Sequence, residues 1–174
     1  NTALGHQAGK AVTTGGYNTF LGWEAGKTYT GTGDVNTAIG VSALQAMTTG
    51  GQNTALGGNA GYSLTTAVDN VLVGHNTGDA LILGSYNTAV GKDALGAAQG
   101  DRYNVAIGFD CLKAFNTGTS VNDTENTAVG GRSGLRVTTG SANTLFGATS
   151  GDDITTGSDN TAVGANAGED LVGG

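Results

Sequence analysis

The segment Gly22–Thr28 is the first stretch of this chain whose residue types could do chemistry. It reads Gly-Trp-Glu-Ala-Gly-Lys-Thr and approaches a phosphate-binding loop, in which backbone N–H groups and one Lys hold phosphate oxygens. The segment is one residue short between its glycines, and Gly5–Lys10 has nearly the same spelling. A repeated structural sequence therefore explains both segments, and we predict no phosphate site.

Two histidines and a group of carboxylates are the candidate metal ligands. His6 and His75 occupy equivalent places four repeats apart, about 19 Å along a stack of strands, which is too far to share one ion. Four carboxylates lie near the end of the chain, at Asp152, Asp153, Glu169 and Asp170. Oxygen ligands suit Ca²⁺, but a solvated acidic face explains this group more simply. We predict no metal, no cofactor and no catalytic residue, because no Ser-His-Asp or Cys-His set shares a neighbourhood.

Aromatic side chains and one insertion are the candidates for receptor binding. About five extra residues fall around 116–124, and insertions in repeat proteins form surface loops. Tyr86 and Tyr103 occupy the same place in successive repeats and are predicted to stack, and aromatic rings suit sugar rings. Packing between chains is an equal alternative for these rings. The receptor-binding candidates are Trp23, Tyr86, Tyr103, Phe109, Asn116 and Asn122.

All these residues sit in a sequence that repeats about every seventeen residues. The pentapeptide Asn-Thr-Ala-aliphatic-Gly occurs ten times with small variations, starting at Asn1, Asn18, Asn36, Asn53, Asn70, Asn87, Asn104, Asn126, Asn143 and Asn160. A fixed short period is typical of a solenoid. Counting each coil from its Asn as position 1, we predict an all-β parallel β-roll of ten coils, forming a single domain over residues 1–174.

The pentapeptide is predicted to be a strand whose positions 2 and 4 share one face and whose position 3 takes the other. We assign positions 2 and 4 to the inside, because position 4 is apolar in every coil. Position 3 would then present a row of small side chains to a second copy of the chain. The predicted trimer-interface residues are Ala38, Ala55, Ala89, Ala106 and Ala128.

A second apolar row at position 12 predicts a second short strand in each coil. It includes Met47, Leu64 and Leu81, and Thr-Thr-Gly often follows it. Gly at position 5 is expected where the chain needs a positive φ. The Asn at position 1 is predicted to form a ladder of side-chain amides bonded to one another and to the turn backbone.

Composition excludes several classes of function. The chain has 33 Gly, no Pro, one Cys and a net charge of −7, so neither a nucleic-acid partner nor an intrachain disulfide is expected. No apolar run has the length needed to cross a bilayer, so membrane insertion is not predicted. The chain begins at position 1 without Met and stops within a tenth coil, and we expect it to be a segment of a longer fibre.

Two known families have similar repeats. The strand Asn104–Gly108, Asn-Val-Ala-Ile-Gly, resembles the repeat of trimeric autotransporter adhesin heads. The longer units Asn53–Gly61 and Asn160–Gly168 resemble repeats of phage tail fibres, and the seventeen-residue period favours the fibre type. The resemblance implies a left-handed roll, a homotrimer and a place outside the cell, on a virion tail or a cell surface.

Three functional hypotheses follow. The first is a structural and attachment segment of a trimeric phage tail fibre that mediates host-cell adhesion through a glycan or another host receptor, with a bacterial adhesin head as its alternative. The second is an ice-binding solenoid, although the Thr-Thr pairs that could form its surface are broken at Ile82-Leu83 and Gln99-Gly100. The third and weakest is a repeat-built enzyme, which would need paired carboxylates facing a groove.

Overall fold

Each coil contributes one three-residue strand to a single parallel sheet in the computed structural model of this chain. The structure describes residues 1–32, 34–169 and 171. The strands of this sheet, in order, are β1 Thr2–Leu4, β2 Thr19–Leu21, β3 Thr37–Ile39, β4 Thr54–Leu56, β5 Val71–Val73, β6 Thr88–Val90, β8 Val105–Ile107, β10 Thr127–Val129, β11 Thr144–Phe146 and β12 Thr161–Val163. Equivalent positions pair throughout, as in Ala89 with Ala106, so the predicted parallel solenoid is confirmed.

The second strand predicted at position 12 is not formed. Positions 6–11 are successive turns, and position 12 follows them without strand geometry. The turns have left-handed backbone at positions 7 and 9, as at Asp93 (φ 56°) and Leu95 (φ 54°). Because a left-handed residue is not extended, these positions cannot form a β-strand. Successive turns are nevertheless joined by backbone hydrogen bonds, such as Leu44 N to Ala60 O at 3.0 Å. The only other strands in the described residues are β7 Asp101–Arg102 and β9 Asn122–Asp123, which pair with each other.

The predicted orientation of the strand was wrong. Position 3 is buried in every coil after the first, whereas positions 2 and 4 are exposed or half-buried. The lumen is narrow and is filled from the opposite side by position 12, for example by Met47 and Leu64, so a methyl group suffices at position 3. The proposed trimer-interface residues Ala38, Ala55, Ala89, Ala106 and Ala128 are therefore lumen residues, and none of them is accessible to a second chain.

The lumen is filled by compensation between positions 3 and 9. Large side chains occupy position 3 in three coils, at Phe20, Leu72 and Leu145, and each of these coils has Gly at position 9. Three other coils have buried Leu at position 9, at Leu44, Leu95 and Leu112, with Ala at position 3. At Gly61 in coil 4, an added Cβ would lie 2.8 Å from Leu44 Cδ2 and 2.9 Å from Leu72 Cδ1. Where a coil has Ala at position 3 and Gly at position 9, large side chains of the neighbouring coils thus fill the space, as close packing requires.

The Asn ladder is confirmed and holds one corner of every coil. Asn70 Nδ2 donates to Asn53 Oδ1 at 3.0 Å and to the carbonyl of Gly84 at 3.0 Å, while Asn70 Oδ1 accepts from Asn87 N at 3.0 Å. The eight ladder asparagines from Asn18 to Asn143 are almost completely buried, so each bond among them satisfies a group that water cannot reach. The row is structural and repeats one arrangement along the stack.

Gly at position 5 meets two separate requirements. Its φ lies between 126° and 142° in the ten coils, a region that side chains avoid. A Cβ on Gly91 would also lie 2.3 Å from the carbonyl oxygen of Gly108 in the next coil. The predicted positive φ is confirmed. The close approach of successive coils leaves no room for a side chain at position 5, so only Gly fits there.

Candidate functional site

The outer face of the ten-stranded sheet is the most extended exposed feature of the chain. It consists of two parallel rows, the aliphatic or aromatic side chains of position 4 and the Thr or Val side chains of position 2. Leu4 and Val163 are 67% exposed and Phe146 is 56% exposed. No charged residue occupies either row. We call these two rows the sheet face.

The Thr hydroxyls on the sheet face make no hydrogen bond to any described residue. These residues are Thr2, Thr19, Thr37, Thr54, Thr88, Thr127, Thr144 and Thr161. The Thr row at position 13 differs, because Thr48 Oγ1 donates to the carbonyl of Thr65 at 3.1 Å and Thr65 Oγ1 to that of Ile82 at 3.0 Å. Position 13 is thus a structural ladder, while position 2 presents hydroxyls about 4.8 Å apart to whatever covers the face.

The aromatic candidates form stacks along the roll. Tyr86 and Tyr103 stack as predicted, with ring centroids 5.0 Å apart and planes 7° from parallel. Trp23 stacks on His6 at 4.1 Å, and it remains 52% exposed. Each stacked ring has one face covered by its neighbour, so only the outer ring faces and the edges are available to a sugar.

Phe109 is exposed at position 6 and has a cation above its ring. Lys92 Nζ lies 5.5 Å from the ring centroid, a cation–π distance. Lys92 also forms an ion pair with Asp93 at 2.6 Å. The Phe109 ring is therefore partly occupied by a side chain of the preceding coil.

The insertion in coil 7 is a loop held by side chains of its own and by one buried carboxylate. Asn116 Oδ1 accepts from Gly118 N at 2.8 Å, and Asn122 Nδ2 donates to Thr117 Oγ1 at 2.9 Å. Asp101 is fully buried and accepts from the N–H and the hydroxyl of Thr117. Burial raises the pKa of Asp101, and the hydrogen bonds from Thr117 and Gln99 oppose that shift. Both candidate asparagines thus shape the loop, and its exposed residues are Thr119, Ser120, Val121 and Asp123.

The acidic end of the chain is partly neutralised. Arg136 forms ion pairs with Asp153 and, at 4.0 Å, with Asp152 in the next coil. Glu169 is exposed, and Asp170 lies outside the described residues. Within residues 1–32, 34–169 and 171, no group of three or more His, Cys, Asp or Glu side chains could hold a metal ion. His6 and His75 are both exposed, in separate coils.

Sequence reasoning missed the sheet face because it placed the same residues inside. A signal was available in the pairing of sizes: each coil with a large residue at position 3 has Gly at position 9, and Leu at position 9 occurs only with Ala at position 3. Such compensation is typical of side chains that share a closed volume, and position 4 shows none.

Comparison with protein-family models, curated proteins and solved structures finds no match for this chain. In the part of the chain that the structure describes, no helix combines the length and apolarity needed to span a membrane. The functional interpretation therefore depends on the surfaces described above.

Proposed function

We propose that this chain is a structural and attachment segment of a homotrimeric fibre outside the cell, most simply a phage tail fibre or, as the alternative, a bacterial surface adhesin. The observation that carries the proposal is the exposed, uncharged sheet face running along all ten strands. The number of chains and the left-handed winding come from the resemblance of the repeats to those two families.

The sheet face is a long, flat, uncharged strip. Ten strands spaced about 4.8 Å apart and about 10 Å wide give roughly 450 Å² of flat surface, near the largest patch that monomers usually expose. Three such faces around a common axis would bury the aliphatic row and let Thr hydroxyls bond to one another. The charges of the chain, which lie on other sides of the coil, would stay in water.

Attachment would use the corners of the roll and the loop over residues 116–124, since the strands are occupied by packing. Trp23 and the tip of the loop are the most exposed candidates. Three chains would present each weak site three times, which raises the apparent affinity.

The test combines mass and attachment. Light scattering on the parent chain should give three times 17.0 kDa. Deletion of residues 120–123 and, separately, Trp23→Ala should leave that mass unchanged and reduce binding to host cells or a glycan array. A trimer whose attachment is unchanged in both variants would be a spacer, and a monomer would refute the fibre assignment.

Ice binding is a second candidate, because the free hydroxyls of position 2 favour it. The Thr row is interrupted only by Val71 and Val105, and each Val keeps a methyl group at the same place. A flat face of regularly spaced hydroxyls and methyl groups on a rigid sheet can order water. Thermal hysteresis of a monomeric chain, abolished by Thr88→Lys, would support ice as the occupant of the sheet face.

A further inference from the structure

One coil lacks the side chain that all other coils carry at position 10. Nine coils have a longer residue there, at Lys10, Lys27, Gln45, Tyr62, Asp79, Lys113, Leu135, Asp152 and Glu169. Coil 6 has Gly96, followed by Ala97. The missing side chain opens a notch in the side of the roll, between Asp79 of the preceding coil and Lys113 of the following coil.

The notch is a shallow cavity of about 340 Å³ lined by Asp79, Asp93, Gly96, Ala97 and Lys113. This volume lies at the small end of the range for ligand sites. Its two walls are two coils apart, about 10 Å along the roll. A Cβ at Gly96 would lie 3.7 Å from Asp79 Oδ1, so a longer side chain there would cover the carboxylate.

The charges around the notch do not balance. Lys113 Nζ is 2.9 Å from Asp110 Oδ1 and 3.4 Å from Asp93 Oδ2, and Asp93 also pairs with Lys92 at 2.6 Å. These two ammonium groups compensate Asp93 and Asp110. Asp79 has no ion pair with any described residue, and the polar groups that favour its ionised form are the backbone N–H groups of Asp79 and Ala80 and the side chain of His75.

Asp79 is therefore an anion without a cation at the wall of a cavity. Burial raises its pKa, the nearby charge of Asp93 adds to this, and the backbone hydrogen bonds and His75 oppose it. The ionised carboxylate is thus less stable than it would be in water, and a positive group brought beside it would relieve that cost.

We propose that this notch binds a small polyhydroxylated ligand that carries one ammonium group, which is the chemistry of a protonated amino sugar. The ammonium would pair with Asp79. Lys113 has three N–H donors, two of which face Asp93 and Asp110, so one remains for a hydroxyl oxygen of the ligand. The single uncompensated negative charge favours a monocation over a zwitterion or an acid.

This assignment deepens the proposed attachment role and rests on it only for its biological purpose. None of the notch residues belongs to the sheet face. Binding can therefore be measured on each chain whether or not the chains associate, and the two proposals can fail separately.

The experiment is a titration of ¹⁵N-labelled protein with glucosamine, in slightly acidic buffer that keeps the amine protonated. Saturable shifts are expected at residues around Asp79, Gly96 and Lys113. The neutral sugars glucose and N-acetylglucosamine have the same ring without the charge and should bind at least about tenfold more weakly. Equal binding of the charged and neutral sugars, or no saturable shift with glucosamine, would overturn the proposal.

Three variants locate the site. Asp79→Asn should weaken glucosamine binding at least about tenfold, and Asp69→Asn, which removes an exposed carboxylate one coil away from Asp79, should change it less than about twofold. Gly96→Gln restores a residue type found at Gln45 in the same position, so it should fold and abolish binding by filling the notch. Binding that survives both Asp79→Asn and Gly96→Gln would place the ligand elsewhere and contradict the assignment.

Discussion

The two faces of each strand differ in how strongly packing constrains the size of their side chains. On the lumen side, positions 3 and 9 compensate each other in volume, so that Phe20, Leu72 and Leu145 each face a Gly in their own coil. On the outer side, position 4 changes from Val129 to Phe146 in neighbouring strands, while position 2 stays Thr in both, at Thr127 and Thr144. Inside, the residues are coupled by close packing, whereas outside they are free to vary.

This difference separates what makes the fold from what the fold can be used for. The lumen, the Asn ladder and Gly at position 5 repeat one solution ten times and carry stability. The sheet face, the notch at Gly96 and the loop over 116–124 lie outside that framework. We therefore expect variation in them to change what the roll contacts and to leave the roll intact.

The largest effect is expected from a charge in the lumen. Ala106→Asp places a carboxylate at a fully buried site without a partner, which should cost several kcal/mol and unfold the middle of the roll. Thermal denaturation followed by circular dichroism measures this loss. Thr66→Asp, at an exposed corner, is the matched control and should be close to neutral. Equal melting temperatures for the two variants would show that the lumen is assigned wrongly.

A smaller loss is expected from breaking the ladder. Asn70→Ala removes the donors to Asn53 and Gly84 and leaves the buried N–H of Asn87 without an acceptor. The expected cost is about 2–4 kcal/mol. Asn70→Asp keeps the acceptor for Asn87 N but turns a second oxygen toward Asn53 Oδ1 and the Gly84 carbonyl, so it should destabilise the roll at least as much as Asn70→Ala. Hydrogen exchange at Asn87 N, compared with neighbouring amides, separates the two cases. Fast exchange in Asn70→Asp as well as in Asn70→Ala would argue against an acceptor role for Oδ1.

The sheet face should respond in the opposite way to the lumen. Val90→Asp introduces a carboxylate on the outer side, where it stays hydrated in a single chain. The free energy of unfolding of the single chain should therefore change by less than about 1 kcal/mol. The same charge would be buried between copies, so the mass by light scattering should fall from three chains to one. Lys92→Ala, an exposed neighbour, should leave the mass unchanged. A trimeric Val90→Asp variant would exclude this face as the interface.

The smallest effect concerns the pH dependence of the loop. The folded-state pKa of Asp101 is raised by burial, so its contribution to stability is fully present below the unfolded value of 3.8 and is lost as pH rises through the folded value. Asp101→Asn removes this titration. The variant should gain stability relative to the parent at neutral pH, and the gain should shrink as the solution is acidified. A gain that does not depend on pH would contradict the assigned direction.

The repeat itself predicted most of the framework. The spacing of Asn predicted the parallel solenoid, and the ladder, the positive φ of Gly91 and its equivalents and the Tyr86–Tyr103 stack all follow from placing equal residues at equal heights. These features depend only on period and residue type, which a sequence shows directly.

Which face of the strand points into the lumen could not be predicted in the same way. A three-residue strand shows that positions 2 and 4 share a face, but the alternation is the same whichever face is inside. The apolar residues at position 4 favoured the wrong choice, because apolar side chains also occur on exposed faces and do not by themselves mark a core. The notch at Gly96 was equally hidden, since one Gly among 33 acquires meaning only when the side chains around it are placed.

The most direct test of the sheet face as the interface is cross-linking of single cysteines along it. Leu56→Cys, Val90→Cys and Val129→Cys, treated separately with a short bismaleimide, should each join copies of the chain, because equivalent residues of parallel chains lie at equal heights. Thr66→Cys, exposed at a corner, should not. The native Cys111 is buried and its pKa is raised to about 12, so it stays unreactive while the chain is folded.

The pattern of cross-links decides the result. A trimer packed through the sheet face should give efficient cross-linking at all three heights and a mass of three chains for the untreated parent. Cross-linking at one height only would indicate an antiparallel pair. No cross-linking on the sheet face, together with a single-chain mass, would exclude the trimer and leave the exposed hydroxyl row to another occupant such as ice.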